Sequence, residues 1–103
     1  MRKIINRKLY DTETATELHS TGYGYAGDFN RWEEILYRTK SNALFIYGEG
    51  GARSQYSRSV SQNEWSGGEE LRPVTTEEAI DWLEKNDGED VIIEHFPDAI
   101  EEA

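Results

Sequence analysis

Between residues 74 and 88 the chain specifies a helix more fully than it specifies anything else. Thr75 and Glu78 occupy the N-cap and N3 positions of a capping box. There the threonine hydroxyl and the glutamate carboxylate satisfy two backbone N–H groups that a helix start otherwise leaves open. Val74 and Ala79 stand where a hydrophobic staple needs them, and Glu77 and Glu78 put negative charge at the positive end of the helix dipole. Ala79, Ile80 and Leu83 form an apolar stripe with Trp82 at its border, and Gly88 is placed to end the helix. The spacing predicts a helix over about 76–86.

Residues 1–74 read as strands. Lys3-Ile4-Ile5 and Lys8-Leu9-Tyr10 flank Asn6-Arg7 as a short hairpin. Asp11 is placed to cap one helical turn over Thr12–Ala15, and Glu17–Thr21 is extended. Gly22, Gly24 and Gly27, interleaved with Tyr23 and Tyr25, mark a loop. The strongest β signal is Trp32–Thr39 and Ala43–Tyr47, rich in aromatic and β-branched residues and joined at Lys40-Ser41-Asn42. By the two-residue repeat, Leu44 and Ile46 share one face, Phe45 and Tyr47 the other, with Ile35 and Tyr37 paired on the first arm. This hairpin is expected at the centre of the sheet. Residues 48–68 form a long connection or an irregular strand pair, and Glu70–Val74 is an edge strand because Pro73 has no N–H for a ladder.

Strands followed by a helix that covers one sheet face make an α+β domain. The expected architecture is an antiparallel β-sheet built from hairpins, one well-capped C-terminal helix packed on it, and a short helical or extended tail. A length of 103 residues at 36% apolar content supports a single domain over 1–103. It divides into a sheet-forming region 1–74, the helix, and an acidic tail 88–103. Val91, Ile92, Ile93, Phe96 and Ile100 are too apolar for the whole tail to float free.

With no cysteine, neither disulfides nor a thiolate zinc site contribute. The basic N-terminus lacks the apolar region of a signal peptide, and no stretch suits a membrane span, so a cytoplasmic location is expected. The net charge of −10 is unevenly spread. Residues 1–60 hold nine Lys/Arg against seven Asp/Glu, whereas residues 61–103 hold two against fourteen. Such a surface repels nucleic acid and lipid headgroups but is attracted to basic clefts, including those that hold nucleic acid. A solubility face is the simpler alternative.

Individual motifs point away from catalysis. Gly48-Glu49-Gly50-Gly51 lacks the Gly-Lys-Ser/Thr of a phosphate loop and carries a repelling glutamate, so it reads as a tight exit from a strand. His19 and His95 lie near carboxylates (Glu17; Glu94 and Asp98) but without ligand spacing, so no metal and no cofactor is assigned. Tyr23, Tyr25, Tyr56 and Trp65 fall in or beside loops, where aromatics commonly anchor protein interfaces, whereas Trp32 is expected in the core.

Several blocks together resemble one family. They are Lys3–Asn6, Lys8–Ala15, Leu36–Thr39, Tyr47–Gly51, Gln62–Trp65, and Pro73–Ala79 with Trp82, and they extend to about residue 86. They are similar to small proteins of Gram-positive mobile elements, a family that includes the shared N-terminal domain of several type II-A anti-CRISPR proteins. Where that family has Asn-Gly at the first turn this chain has Asn6-Arg7, and it lacks the extra C-terminal domain of some relatives. The resemblance implies a non-enzymatic, phage-type inhibitor of Cas9 acting in the bacterial cytoplasm. Cas9 holds guide RNA and target DNA in positively charged channels. The acidic residues Glu69, Glu70, Glu77, Glu78, Asp81, Glu84, Asp87, Glu89 and Asp90 are the expected partner-binding surface, a nucleic-acid mimic that competes with guide RNA or target DNA. The alternatives are a metal-dependent ribonuclease that trims guide RNA, and a mobile-element accessory protein that binds an unrelated host factor.

Overall fold

A computed structural model describes all residues, Met1–Ala103. Its organising element is the central hairpin of β4 (Trp32–Arg38) and β5 (Leu44–Gly50). Asn42 takes the left-handed conformation (φ 69°) at the turn, and the Thr39 hydroxyl accepts from the Ala43 N–H at 3.0 Å. β3 (Thr16–Tyr23) flanks β4, and β8 (Gly68–Val74) flanks β5, giving an antiparallel sheet in the order β3-β4-β5-β8. Two small hairpins stand outside it: β1 (Arg2–Ile5) with β2 (Lys8–Asp11), and β6 (Arg58–Ser61) with β7 (Glu64–Ser66). Two helices follow, α1 (Thr76–Lys85) and α2 (Glu89–His95), and then a 3₁₀ turn over Pro97–Ala99. The α+β class, the central hairpin, the edge position of β8 and the extent of α1 are as the sequence implies. No helix is long and apolar enough to cross a membrane.

Alternation along β4 and β5 builds a core on each sheet face. On one, Leu36, Leu44 and Ile46 meet Ala79, Trp82 and Leu83 of α1 and Ile92 of α2. On the other, Tyr37, Phe45 and Leu71 meet Tyr10, which the β1–β2 hairpin carries across the sheet. The Tyr37 and Phe45 rings stack at 5.1 Å, and Tyr10 meets Phe45 edge-on at 5.6 Å. Phe45, Leu36, Ile46, Leu71 and Leu83 are fully enclosed. Each contributes about 1.5–3 kcal/mol of burial.

The local signals behave as their chemistry requires, with corrections. Both capping-box bonds of α1 are present, at 2.9 and 3.1 Å. The left-handed residue that ends α1 is Asp87 (φ 59°), not Gly88. Gly88 instead donates its N–H to the Leu83 carbonyl at 2.8 Å, closing a Schellman motif. A Cβ there would sit 2.5 Å from Leu83 Cδ2, so close packing demands the glycine. Asn6 and Arg7 both have positive φ (52° and 64°), the geometry of a type I′ hairpin turn. Arg7 takes at a penalty of roughly 1–2 kcal/mol the conformation that glycine adopts freely. Asp11 caps the single turn expected of it, its side chain accepting from the Glu13 N–H at 2.9 Å and its carbonyl from the Ala15 N–H at 3.0 Å.

Three further expectations are revised. β3 runs through Gly22 and Tyr23, so the loop begins only at Gly24. Gly48 lies inside β5, and the exit from the strand comes only at Gly50-Gly51, where the ladder to β8 ends at Gly50↔Gly68. Trp32 is half-buried and belongs to neither core, since it stands in the last row of the sheet where no layer covers it.

Candidate functional site

Strand register gathers charge that the linear sequence disperses. Glu33 lies opposite Glu49, and Glu49 opposite Glu69, so three carboxylates cross the sheet in one row. Neighbouring strands are about 4.8 Å apart, which sets the spacing of the row. By alternation these acids share the face of Tyr37, Phe45 and Leu71, and Tyr47 confirms it. Its hydroxyl donates to Glu69 Oε2 at 2.6 Å and lies 3.2 Å from Glu49 Oε2. Burial first, and then the two carboxylates, push the Tyr47 hydroxyl far above its ordinary value of 10. Like charges directly opposite across strands are destabilising. Arg31 offsets part of this at 3.3 Å from Glu49.

The acids of this row come from both halves of the chain. Glu33 and Glu49 belong to the nearly neutral first sixty residues, and the sequence reading missed them. The Glu33–Glu49 pairing follows from a hairpin centred on Ser41. The Glu49–Glu69 pairing depends on β8 returning to β5, which no local signal announces.

Behind the row, on the helix face, Glu34 is the hub of a second network. Its Oε1 accepts from Trp82 Nε1 at 2.9 Å, its Oε2 accepts from the Tyr56 hydroxyl, and Arg72 stands 3.8 Å away. Tyr56 is 7% exposed. It is therefore removed from the set of loop aromatics expected to meet a partner. The ring lies over Gly48, where a Cβ would come within 2.1 Å of its Cζ. Burial, followed by the bond to Glu34, pushes its hydroxyl up to about 12.

The other loop aromatics are free. Tyr23, Tyr25 and Trp65 are 60%, 75% and 60% exposed, and Phe29, which the sequence reading passed over, is 63% exposed. Residues 24–31 and 51–57 are tied together at the glycine end of the sheet. The Gly51 N–H donates to the Arg31 carbonyl and the Arg53 N–H to the Phe29 carbonyl, each at 2.7 Å. Tyr23, Tyr25, Arg31, Trp32 and Glu33 line a shallow groove there, so aromatic side chains and the carboxylate row adjoin.

The nine acids expected to bind a partner, Glu69, Glu70, Glu77, Glu78, Asp81, Glu84, Asp87, Glu89 and Asp90, are all exposed. They do not form one patch. Glu69 lies on the hairpin face, the helical acids lie on the opposite side, and Glu78 is engaged in the cap of α1. None of the nine pairs with a lysine or arginine.

No family model matches the chain, and no curated protein or solved structure matches it. The two histidines have separate partners. His19 Nε2 donates to the Asn86 carbonyl at 2.7 Å, and His95 Nδ1 accepts from Arg38 at 3.1 Å. No three His, Asp or Glu side chains converge as ligands for a cation, and the carboxylates are lined up side by side.

Proposed function

We propose that this chain is a binding protein whose acidic surface occupies a basic, nucleic-acid-holding cleft, with Cas9 as the partner that the family resemblance implies. The observation that carries this reading is the group of exposed carboxylates on the helix side of the sheet, Glu77, Asp81, Glu84, Asp87, Glu89 and Asp90, none of which has a Lys or Arg partner. A surface built only for solubility intersperses both signs. Here cations are nearly missing from the C-terminal two-fifths, so an incoming basic surface meets charge that no internal pair has neutralised. Displaced counterions and long-range attraction speed the encounter. The exposed aromatics Tyr23, Tyr25 and Trp65 supply the apolar anchors that fix register. The protein competes with guide RNA for the empty effector, whose RNA-binding surface is the larger basic target.

An order-of-addition experiment tests this. Cas9 meets the protein before or after labelled guide RNA, while gel shift, RNA integrity and target-DNA cleavage are followed together. The expected result is loss of the guide complex, with intact RNA, only when the protein is added first. Changing Glu77, Asp81 and Glu84 together to lysine should abolish the effect, and retained potency would refute charge mimicry. Cleaved RNA would replace binding with the ribonuclease alternative. No effect in either order would shift the partner to an unrelated host factor.

A further inference from the structure

The two termini of the fold carry opposite charge. Residues 1–10 contain Arg2, Lys3, Arg7 and Lys8 and no acid. Ile4 and Leu9, paired across β1 and β2, stand 71% and 56% exposed among these cations. Residues 87–102 contain seven Asp/Glu and no Lys or Arg. Within that segment Ile93 and Ile100 are 60% and 44% exposed. Each terminus thus presents two exposed aliphatic side chains among charges that are mostly of one sign, basic at the hairpin apart from Asp11 opposite Arg2, and acidic at the tail apart from Arg38 beside His95 and Phe96. Exposed apolar side chains rimmed by polar groups mark association surfaces.

Within one molecule these surfaces cannot meet. The β1–β2 hairpin packs on the sheet face of Tyr37 and Phe45, and α1 and α2 pack on the face of Leu36 and Ile46. The four-stranded sheet separates them. We propose that the basic hairpin of one molecule docks on the acidic α2 and tail surface of a second copy. A phosphate backbone would complement the cations but leave Ile4 and Leu9 wet. The acidic tail of another copy satisfies both the charge and the aliphatic side chains. The two surfaces differ and lie on opposite faces of the sheet, so a single contact leaves one hairpin and one tail surface free on the assembled pair, and further copies add head to tail.

Sedimentation velocity of the full chain over a wide concentration range, at low and high salt, tests this. The weight-average mass should rise past that of a dimer without a plateau and fall back as salt screens the contact. Arg2→Glu with Lys8→Glu should leave the protein monomeric, and so should Asp90→Lys with Glu94→Lys. An equimolar mixture of these two variants should recover association, because each reversed surface then meets one of opposite charge. Ile4→Ser with Leu9→Ser, which changes no charge, should also abolish assembly, and circular dichroism checks that every variant is folded. A wild-type protein that stays monomeric throughout would overturn the proposal. Assembly unaffected by these substitutions, failure of the mixture to recover it, or assembly only when RNA or anionic vesicles are added would overturn it equally.

Discussion

Removal of the Glu34 carboxylate should unfasten the helix from the glycine end of the sheet. In Glu34→Ala, the Trp82 indole N–H and the Tyr56 hydroxyl both lose their acceptor, and their residues are only 9% and 7% exposed. A buried donor left without a partner costs about 1–3 kcal/mol. Arg72 Nη1, at 3.4 Å, donates to the Tyr56 oxygen and cannot accept its proton, so the hydroxyl is left an unpartnered donor. The Arg72 pair itself adds little, because that side chain is 39% exposed. The expected destabilisation is therefore about 2–4 kcal/mol, shared by Trp82 and Tyr56. For a domain of this size it lowers Tm by roughly 10–20 °C. Urea and thermal melts followed by far-ultraviolet circular dichroism measure it, with Trp82→Phe as the control that removes one donor while leaving the carboxylate. A Glu34→Ala protein within about 0.5 kcal/mol of wild type would refute the view that this carboxylate joins α1, the 51–57 loop and β8.

Three other substitutions probe the same fold. Burial and Glu34 raise the Tyr56 hydroxyl from its ordinary value of 10 to about 12, so its protonated form is favoured by folding. The stability it contributes is complete below pH 10 and is lost as pH rises through about 12; Tyr56→Phe should flatten that part of the alkaline unfolding curve relative to wild type. Thr75→Ala should cost about 0.5–2 kcal/mol in a urea melt by opening the capping box. The Glu78 carboxyl is held below its ordinary 4.5 by its bonds to Thr75, so its contribution is present above that pH and lost below it, and the Thr75→Ala protein should show a weaker acid dependence. Gly48→Ala should force the Tyr56 ring off the sheet at a cost of about 1–3 kcal/mol, seen in a urea melt and largely relieved when Tyr56→Ala is added.

What was legible in the sequence is what neighbouring residues decide among themselves. The capping box, the apolar stripe of α1 and the turn at Lys40-Ser41-Asn42 each depend on groups within a few positions of one another, so α1 and the central hairpin could be placed from composition and spacing alone. The two-residue repeat likewise sorted Leu44 and Ile46 from Phe45 and Tyr47. Tyr56 shows where such reasoning ends. A tyrosine in a polar, glycine-flanked stretch looks exposed until a strand 22 residues earlier places Glu34 where its hydroxyl can donate. Gly48 misled for the same reason, since it makes room for that distant ring.

Charge divides in the same way. That the last two-fifths of the chain are acidic and poor in cations is legible from counting residues. The folded topology, through strand pairing, brings Glu33 and Glu49 into a row with Glu69 and turns Glu69 and the acids of α1 opposite ways. It also decided that the basic hairpin and the acidic tail lie on opposite faces of one sheet. Pairing between remote strands is a property of the whole chain, because a strand's partner is chosen by how both faces of the sheet are covered and not by the residues beside it.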